Sequence, residues 1–579
     1  MENEVKSDLQ EALVLCRKSF STAGFFSLFI NFLMLVPALY MLQLYDRVLV
    51  SSSEATLVML TLIMVLLFIT QGSLTWVRSI ILVRVSSRLE TLLNVRLFGL
   101  AFKQALYAPG AGTASQPLED LTSLRQFLTG QGLFAFFDAP WMPIYIAVMF
   151  MFHEWFGWMA VITVIILVTL AYVQQKQTGE TLSLANSLAI SGRGLVNKNL
   201  RNAEVVESMG MLAGIRKNWL TSSNKIMALQ AEASAKAATI QALSKTIRLL
   251  SQSLVLGVGA YLVLLQEISP GLMIAGSILL GRALAPIDLM ISSWKGFIAA
   301  RGQYDRLNKS LLAIPQDIVK MELPSPDGEL IVDNILVTAP GTRIPIVKNI
   351  SFSLAPGESL GIIGPSACGK STLARALLGI WPALQGKVRL DGVDIFSWNK
   401  EELGPYIGYL PQDVELFVGS ISENISRFGE MDSEKVVAAA KIADVHEMIL
   451  GLPDGYDTVI GSTTGLLSGG QRQRIGLARA VYDEPKLILL DEPNSNLDED
   501  GELALEHALA NLKKKKATVI VITHRPGVVK VLDKLLFMRD GQAVAFGPTK
   551  EVLEQTKKKL AEQKGKKVGS APITVSPAI

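Results

Sequence analysis

The chain has 579 residues, too many for one hydrophobic core, and 50% of them are hydrophobic, an apolar share unusual for a soluble protein. Its 55 lysines and arginines nearly balance 52 acidic residues, which argues against nucleic acid as a partner. The two cysteines, Cys16 and Cys368, fall in different predicted domains and make neither a disulfide framework nor a metal site.

Residues 1–19 read as an N-terminal segment with Glu2, Glu4, Asp8 and Glu11 among its lysines. Those acids, and the length of the apolar run behind them, argue for a membrane anchor rather than a removable secretion signal. Six apolar stretches follow, near 20–41, 56–77, 133–152, 156–173, 247–265 and 272–291. Each approaches or exceeds the ~20 residues that cross a bilayer as a helix. They define a predicted transmembrane domain over residues 20–310.

The connections between these spans set the orientation. The first, third and fifth are short, and Arg47 is the one basic residue among them. The second carries six basic residues from Arg78 to Arg125, and the fourth carries nine from Lys176 to Lys245. Basic residues collect on the cytoplasmic side, so both termini and the two long connections are expected there. Both are rich in Ala, Leu, Glu, Gln and Lys, which predicts long helices with turns at 110–117 and 210–214. Their tips are expected to touch the second domain.

Residues 311–327 contain Pro315, Pro324 and Pro326, the composition of a linker. From 328 to 555, short β-branched runs alternate with helical patterns, as in a largely parallel α/β domain. Residues 556–579 are expected to be a disordered tail. The predicted fold is therefore an α-helical six-span transmembrane domain fused to an α/β P-loop nucleotide-binding domain.

Gly364, Pro365, Ser366, Ala367, Cys368, Gly369, Lys370 and Ser371 fit the phosphate-binding loop pattern. An apolar strand, 360–363, precedes them, and a helix opens at Thr372. In such a loop, glycines let backbone N–H groups turn onto the phosphates of ATP. Lys370 then reaches the outer phosphates and the Ser371 hydroxyl ligates Mg²⁺. The helix start, with Thr372, adds its partial positive charge. The apolar run 487–490 reads as a buried strand that delivers Asp491 to the Mg²⁺ shell. Glu492 stands where a carboxylate polarises the attacking water.

Leu467-Ser468-Gly469-Gly470-Gln471 resembles the signature motif of ATP-binding cassettes. Ser468 and the following amides of Gly469, Gly470 and Gln471 make an anion nest at a helix start. The resemblance implies that this nest meets the γ-phosphate of an ATP held by the opposite subunit. Two copies of the chain, a homodimer, would then complete two sites. The rest of the cassette set follows in order: Gln412 after Leu410-Pro411, Asp498 in Ser495-Asn-Leu-Asp, and His524 after a strand at 518–523. The resemblance implies that Gln412 reaches nucleotide and metal, that Asp498 contacts the nucleotide, and that Glu492 and His524 are catalytic.

In the membrane half, Asp138-Ala-Pro-Trp141-Met-Pro, the segment from Arg201 to Gly210, and that from Ser277 through Arg282 and Pro286 to Asp288 are similar to type I secretion ATPases. The nearest branch exports proteases with C-terminal RTX-type signals. The resemblance implies a bacterial inner-membrane location, an unfolded protein substrate, a periplasmic adaptor and an outer-membrane tunnel, with membrane lipids around the spans. No leader-cleaving cysteine-protease domain is expected. The alternative is an exporter of lipids or drugs with the same architecture.

Several positions depart from the wider pattern. Val337-Thr-Ala339-Pro340 lacks the aromatic residue that stacks on adenine, so base selectivity is expected to be weak. Ala367 replaces a glycine, which predicts φ below zero at that position. Val459 and Ser462 stand where acids are common. Arg282 and Asp288 lie six apart in the sixth span, too far to stack on one face, so pairing between helices or subunits is expected. Cys368, beside Lys370 and a helix start, is expected to be a reactive thiolate unless it is a buried filler.

Overall fold

In the computed structural model of the chain, which describes residues 6–107, 114–315, 323–342, 344–461, 467–495 and 499–555, six helices among those residues are long and apolar enough to cross a membrane. The chain divides into two units, Met1–Asp317 and Ile318–Ile579.

The first span is composite. Arg17–Leu33 and Val36–Gln43 are α-helical, and a single π-helical turn, Leu44–Val48, follows. That wider turn aims Asp46 at the start of the sixth span. There the Gly271 amide donates to Asp46 Oδ1 at 2.9 Å and the Ser269 hydroxyl donates to Oδ2. A Cβ on Gly271 would lie 2.5 Å from Asp46 Oδ1, so only glycine admits the carboxylate. The second, fourth, fifth and sixth spans belong to helices of 54, 48, 53 and 44 residues. At about 1.5 Å per residue the longest reaches roughly 80 Å, against ~30 Å of hydrocarbon. The two long connections are therefore largely continuations of the spans themselves.

The reversal expected at 210–214 starts earlier. Helix Glu154–Arg201 stops at Asn202, a short helix Ala203–Ser208 intervenes, and Gly210 takes φ +64° before helix Leu212–Leu264. Of the turn expected at 110–117, residues 108–113 lie outside the described residues, and a helix begins at Gln116. Residues 316–322 of the linker and the tail 556–579 also lie outside them.

Close packing inside this unit depends on small residues, as it does where lipid supplies no hydrophobic drive. Phe156 is fully buried, and a Cβ on Gly276 would come within 2.9 Å of its ring. A feature absent from the sequence reading is an N-terminal helix, Asp8–Leu15, closed by a Ser7/Gln10 capping box. It buries Leu9 and Ala12 against Leu89, Leu93, Leu97 and Leu307, and Asp8 accepts from Arg96 at 2.6 Å.

Arg78, the first basic residue of the second connection, is only 4% exposed. Its Nη1 donates to Asp138 Oδ1 and Ser27 Oγ, both at 2.8 Å. Asn31 donates to the same carboxylate oxygen at 2.9 Å, and Tyr145 donates to Asn31 O at 2.7 Å. The helix simply continues past the apolar run, and the charge is neutralised inside the bundle. In the sixth span, Asp288 pairs with Arg248 of the fifth at 2.7 Å, a pairing between helices, whereas Arg282 is exposed.

The second unit is built on a six-stranded sheet. From edge to edge its strands are Gln542–Pro548, Lys534–Arg539, Ser359–Ile363, Thr518–Ile522, Leu487–Asp491 and Ile407–Leu410. All pairs are parallel except the first, which is antiparallel. The two central strands Thr518–Ile522 and Leu487–Asp491 are buried throughout, which explains their continuous apolar runs. A second, antiparallel sheet orders Pro345–Leu354, Leu330–Thr338, Gln385–Leu390 and Val393–Asp394. Ligands of parallel sheets gather beyond the carboxyl ends of the strands, where three of these strands deliver Gly364, Asp491 and His524.

Candidate nucleotide site

The strand Ser359–Ile363 runs straight into the predicted phosphate loop, and helix Lys370–Leu377 leaves it. Gly369 caps that helix with φ +99°, and a Cβ on Gly364 would lie 2.3 Å from Met538 O and 2.8 Å from Cys368 Sγ. Both glycines are therefore required by the turn. Ala367 overturns the expected negative φ: it takes φ +62°. Closing the loop in so few residues demands a left-handed position there. The alanine accepts it at a cost of about 1–3 kcal/mol, strain characteristic of functional loops. Lys370 is buried, and its ammonium donates to Gly364 O at 2.8 Å and Pro365 O at 3.0 Å. The cation is thus held against the loop.

Cys368 settles on its bland alternative. It is 4% exposed and belongs to the core with Leu360, Ile362 and Leu373. A small apolar thiol fills the space beneath the loop and is not presented to solvent.

Asp491 ends its strand 4% exposed, with the Ser371 hydroxyl close enough to favour its charged form. Burial first, and the neighbouring Glu492 second, push the Asp491 carboxyl above its ordinary range, while Ser371, Arg375 and Lys370 oppose them. A buried carboxylate raised in this way, beside a hydroxyl, is a hard-oxygen donor set that a divalent cation would relieve. Among the described residues no group of three His, Cys, Asp or Glu side chains is placed to hold a metal.

Glu492 sits just beyond the strand with φ +51°. Its amide donates to Ile522 O at 2.9 Å, which locks it to the neighbouring strand. Its two carboxylate oxygens face different partners: Gln412 Nε2 donates to Oε2 at 2.9 Å, and His524 Nε2 lies 3.4 Å from Oε1. Gln412, 80 positions before Glu492, and His524, 32 positions after it, therefore converge at one carboxylate. Asp498 lies outside the described residues, as does Ser462; Val459 is exposed.

Ser468 begins helix Gly469–Val481 through a capping box: its hydroxyl accepts from the Gln471 amide at 3.2 Å, and Gln471 Oε1 accepts from the Ser468 amide at 2.8 Å. Among the described residues, no hydrogen bond joins the signature to the phosphate loop. One turn further on, Gln473 was missed in the sequence. It is 2% exposed and donates to Pro493 O at 2.5 Å, tying the signature helix to the segment after Glu492. A glutamine on the apolar face of a helix was the available signal. Arg427 was missed as well. It donates to five backbone carbonyls, those of Gly404, Ile407, Arg479, Ala480 and Tyr482, and burial pushes its guanidinium down to about 10.

At Ala339 the chain turns, with the Thr342 amide donating to Ala339 O at 3.0 Å. The lysines of the 513–516 run take surface partners, Lys513 with Asp533 and Lys515 with Glu484 at 2.7 Å.

A phosphate loop and its acidic strand, with a signature helix alongside, in a chain with six candidate membrane helices, define an ATP-driven membrane transporter of the ATP-binding cassette class. Comparison with known families agrees: residues 347–495 match the ABC transporter family, and residues 20–284 match the ABC transporter transmembrane region. A bacterial Atm1-family ABC exporter with ATP bound has the same fold, with a TM-score of 0.79 at 20% identity over 97% of this chain and 100% of that one. The chain is 43% identical over 550 residues to the type I secretion system ATP-binding protein PrsD of Rhizobium meliloti, covering 95% of this chain and 94% of that protein. It is 30% identical over 569 residues to the alpha-hemolysin translocation ATP-binding protein HlyB of Escherichia coli, covering 94% and 78%. The chain belongs to the ATP-binding proteins of type I secretion systems, a family of multi-pass membrane ATPases.

Proposed function

We propose that the chain works as a homodimer in a bacterial inner membrane and exports an unfolded protein, protease-like and carrying a C-terminal signal, at the expense of ATP. The observation that carries this reading is the 43% identity with PrsD along almost the whole of both chains. Distribution of basic residues supports cytoplasmic termini. A periplasmic adaptor and an outer-membrane tunnel are the partners that the family implies.

In the proposed reaction the amides of residues 364–372 and the Lys370 ammonium hold the phosphates. Ser371, Gln412 and Asp491 would hold Mg²⁺, which neutralises charge between the outer phosphates when bound. Glu492 accepts a hydrogen bond from the attacking water and polarises it. His524, on the other side of the same carboxylate, keeps the water and γ-phosphate in register. Ser468, Gly469, Gly470 and Gln471 of the opposite copy close the site from the far side of the γ-phosphate, with Asp498 contacting the nucleotide. Joining of the two cassettes then moves the long helices, and hydrolysis releases them.

ATPase activity of the full chain in lipid discs tests the substrate class. A C-terminal peptide of a secreted protease is expected to stimulate it, and lipids or hydrophobic drugs are not. Stimulation by drugs or lipids alone would assign the chain to the lipid or drug exporters instead.

A further inference from the structure

Glu492 holds a conformation that its own sequence disfavours. Its φ is +51°, in the left-handed region that residues with a Cβ rarely enter. Pro493 follows it, and a residue before proline is driven towards extended backbone with φ below zero. Such a conformation persists only where surrounding contacts over-determine it, and it clusters at functional sites. Contacts on both sides of Glu492 impose it here. Its amide donates to Ile522 O at 2.9 Å, and the Ser495 amide donates to its carbonyl at 3.1 Å. A third support comes from another element. Gln473 Nε2 donates to Glu492 O at 3.3 Å, to Pro493 O at 2.5 Å and to Ser495 Oγ at 3.4 Å. One carboxamide thereby spans the turn that carries the glutamate.

Packing alone explains Gln473 poorly. It is 2% exposed, on a helix whose Ile475, Leu477 and Ala478 belong to the core. Burying an amide there costs free energy unless its donors are used, and methionine would fill the volume without that cost. The helix itself is a firm support. A Cβ on Gly476 would lie 2.6 Å from Val414 Cγ1 and 3.0 Å from Leu410 Cδ1, so the helix lies directly against the segment that carries Gln412. Gln412 in turn donates to Glu492 Oε2. The same helix therefore supports the Glu492 backbone through Gln473 and one partner of its carboxylate through Gly476.

We propose that Gln473 is a positioning residue for hydrolysis, holding Glu492 in the left-handed conformation that keeps its carboxylate between Gln412 and His524; the proposal rests on the reading of Glu492 as the group that polarises the attacking water. Gln473 acts through the Glu492 backbone and not on the reacting atoms. Without its donor, Glu492 relaxes towards φ below zero, the direction that its Cβ and Pro493 both favour. The carboxylate then swings away from Gln412 and His524, while the phosphate loop is left as it was.

The test measures single-turnover ATP hydrolysis by the full chain in lipid discs, with nucleotide affinity read separately from trinitrophenyl-ATP fluorescence. Gln473→Met keeps volume and helix preference but removes the donors, and Gln473→Glu keeps the shape but sets an acceptor against carbonyls. Both should hydrolyse at least about tenfold more slowly, since a displacement of about 1 Å can cost ~10²-fold. Nucleotide affinity should be unchanged, because a positioning effect falls on kcat and not on ground-state binding. Each variant is then combined with Glu492→Gln. Residues that act through one another are not additive, so in that background the Gln473 substitutions should cost nothing further. An equal loss with and without the Glu492 carboxylate would overturn the proposal, because Gln473 would then support the fold in general. Native turnover in both Gln473 variants would overturn it too, as would loss of nucleotide binding in both. Any of these, alongside a slow Glu492→Gln, leaves Glu492 in its catalytic role. Near-native turnover in Glu492→Gln removes that role, and the positioning by Gln473 falls with it.

Discussion

Removing the carboxylate of Asp138 should unfold the membrane half more readily than almost any other single change. Asp138 and Arg78 are 2.8 Å apart, with side chains only 12% and 5% exposed, and the guanidinium lies 4.3 Å over the Phe134 ring. In Asp138→Leu, the Arg78 charge stays buried without its partner. Breaking a buried pair this way costs about 3–5 kcal/mol, roughly two to four powers of ten in the folded-to-unfolded ratio. Arg78→Met should cost a similar amount by stranding Asp138, to which Asn31 still donates. The double variant Arg78→Met/Asp138→Leu strands neither charge. It should recover most of the loss, because a buried pair replaced by apolar groups is often close to neutral. Titration of the purified full chain in dodecylmaltoside with sodium dodecyl sulfate, followed by tryptophan fluorescence, gives the three changes in stability. Additive single effects, or singles that cost under about 1 kcal/mol, would refute the reasoning, because the pair would then contribute no coupling.

Glu492→Gln should lower ATP turnover by about 10²-fold or more while nucleotide affinity is kept, as an amide cannot act as a base; near-native turnover would remove Glu492 from that role. His524→Ala is expected to slow hydrolysis by a comparable factor in a phosphate-release assay, and an unchanged rate would make the histidine structural. Without an aromatic at Ala339, competition between ATP and GTP should show a preference of no more than about tenfold, and a larger one would reveal a stack from another side chain. Cys368 should label slowly with maleimide in the folded chain and rapidly after denaturation, because it is buried; fast labelling that ATP prevents would restore the exposed thiolate.

How legible the site was depended on the kind of signal. The phosphate loop, acidic strand and signature are local patterns in which spacing itself encodes the chemistry, so Lys370, Ser371, Asp491 and Ser468 can be named from the chain alone. Ala367 was misjudged because its backbone angle is imposed by loop closure, against the preference of the residue. Cys368 was ambiguous for a similar reason: a helix start argues for a reactive thiolate, but only the packing of Leu360, Ile362 and Leu373 determines whether solvent reaches it. Gln473 and Arg427 carry no motif, and their importance lies wholly in the carbonyls that the fold brings to them.

The membrane half divides in the same way. Apolar length and the bias of lysine and arginine are sums over local composition, so the sequence alone determines six spans and their expected orientation. Which charges those helices bury is set by contacts between residues far apart in the chain. Arg78 is buried against Asp138, 60 positions away, and Asp46 acquires its partner at Gly271 across 225 positions. Pairwise electrostatics and hydrogen bonding fall off over a few ångströms, and only the tertiary structure brings such groups within that range.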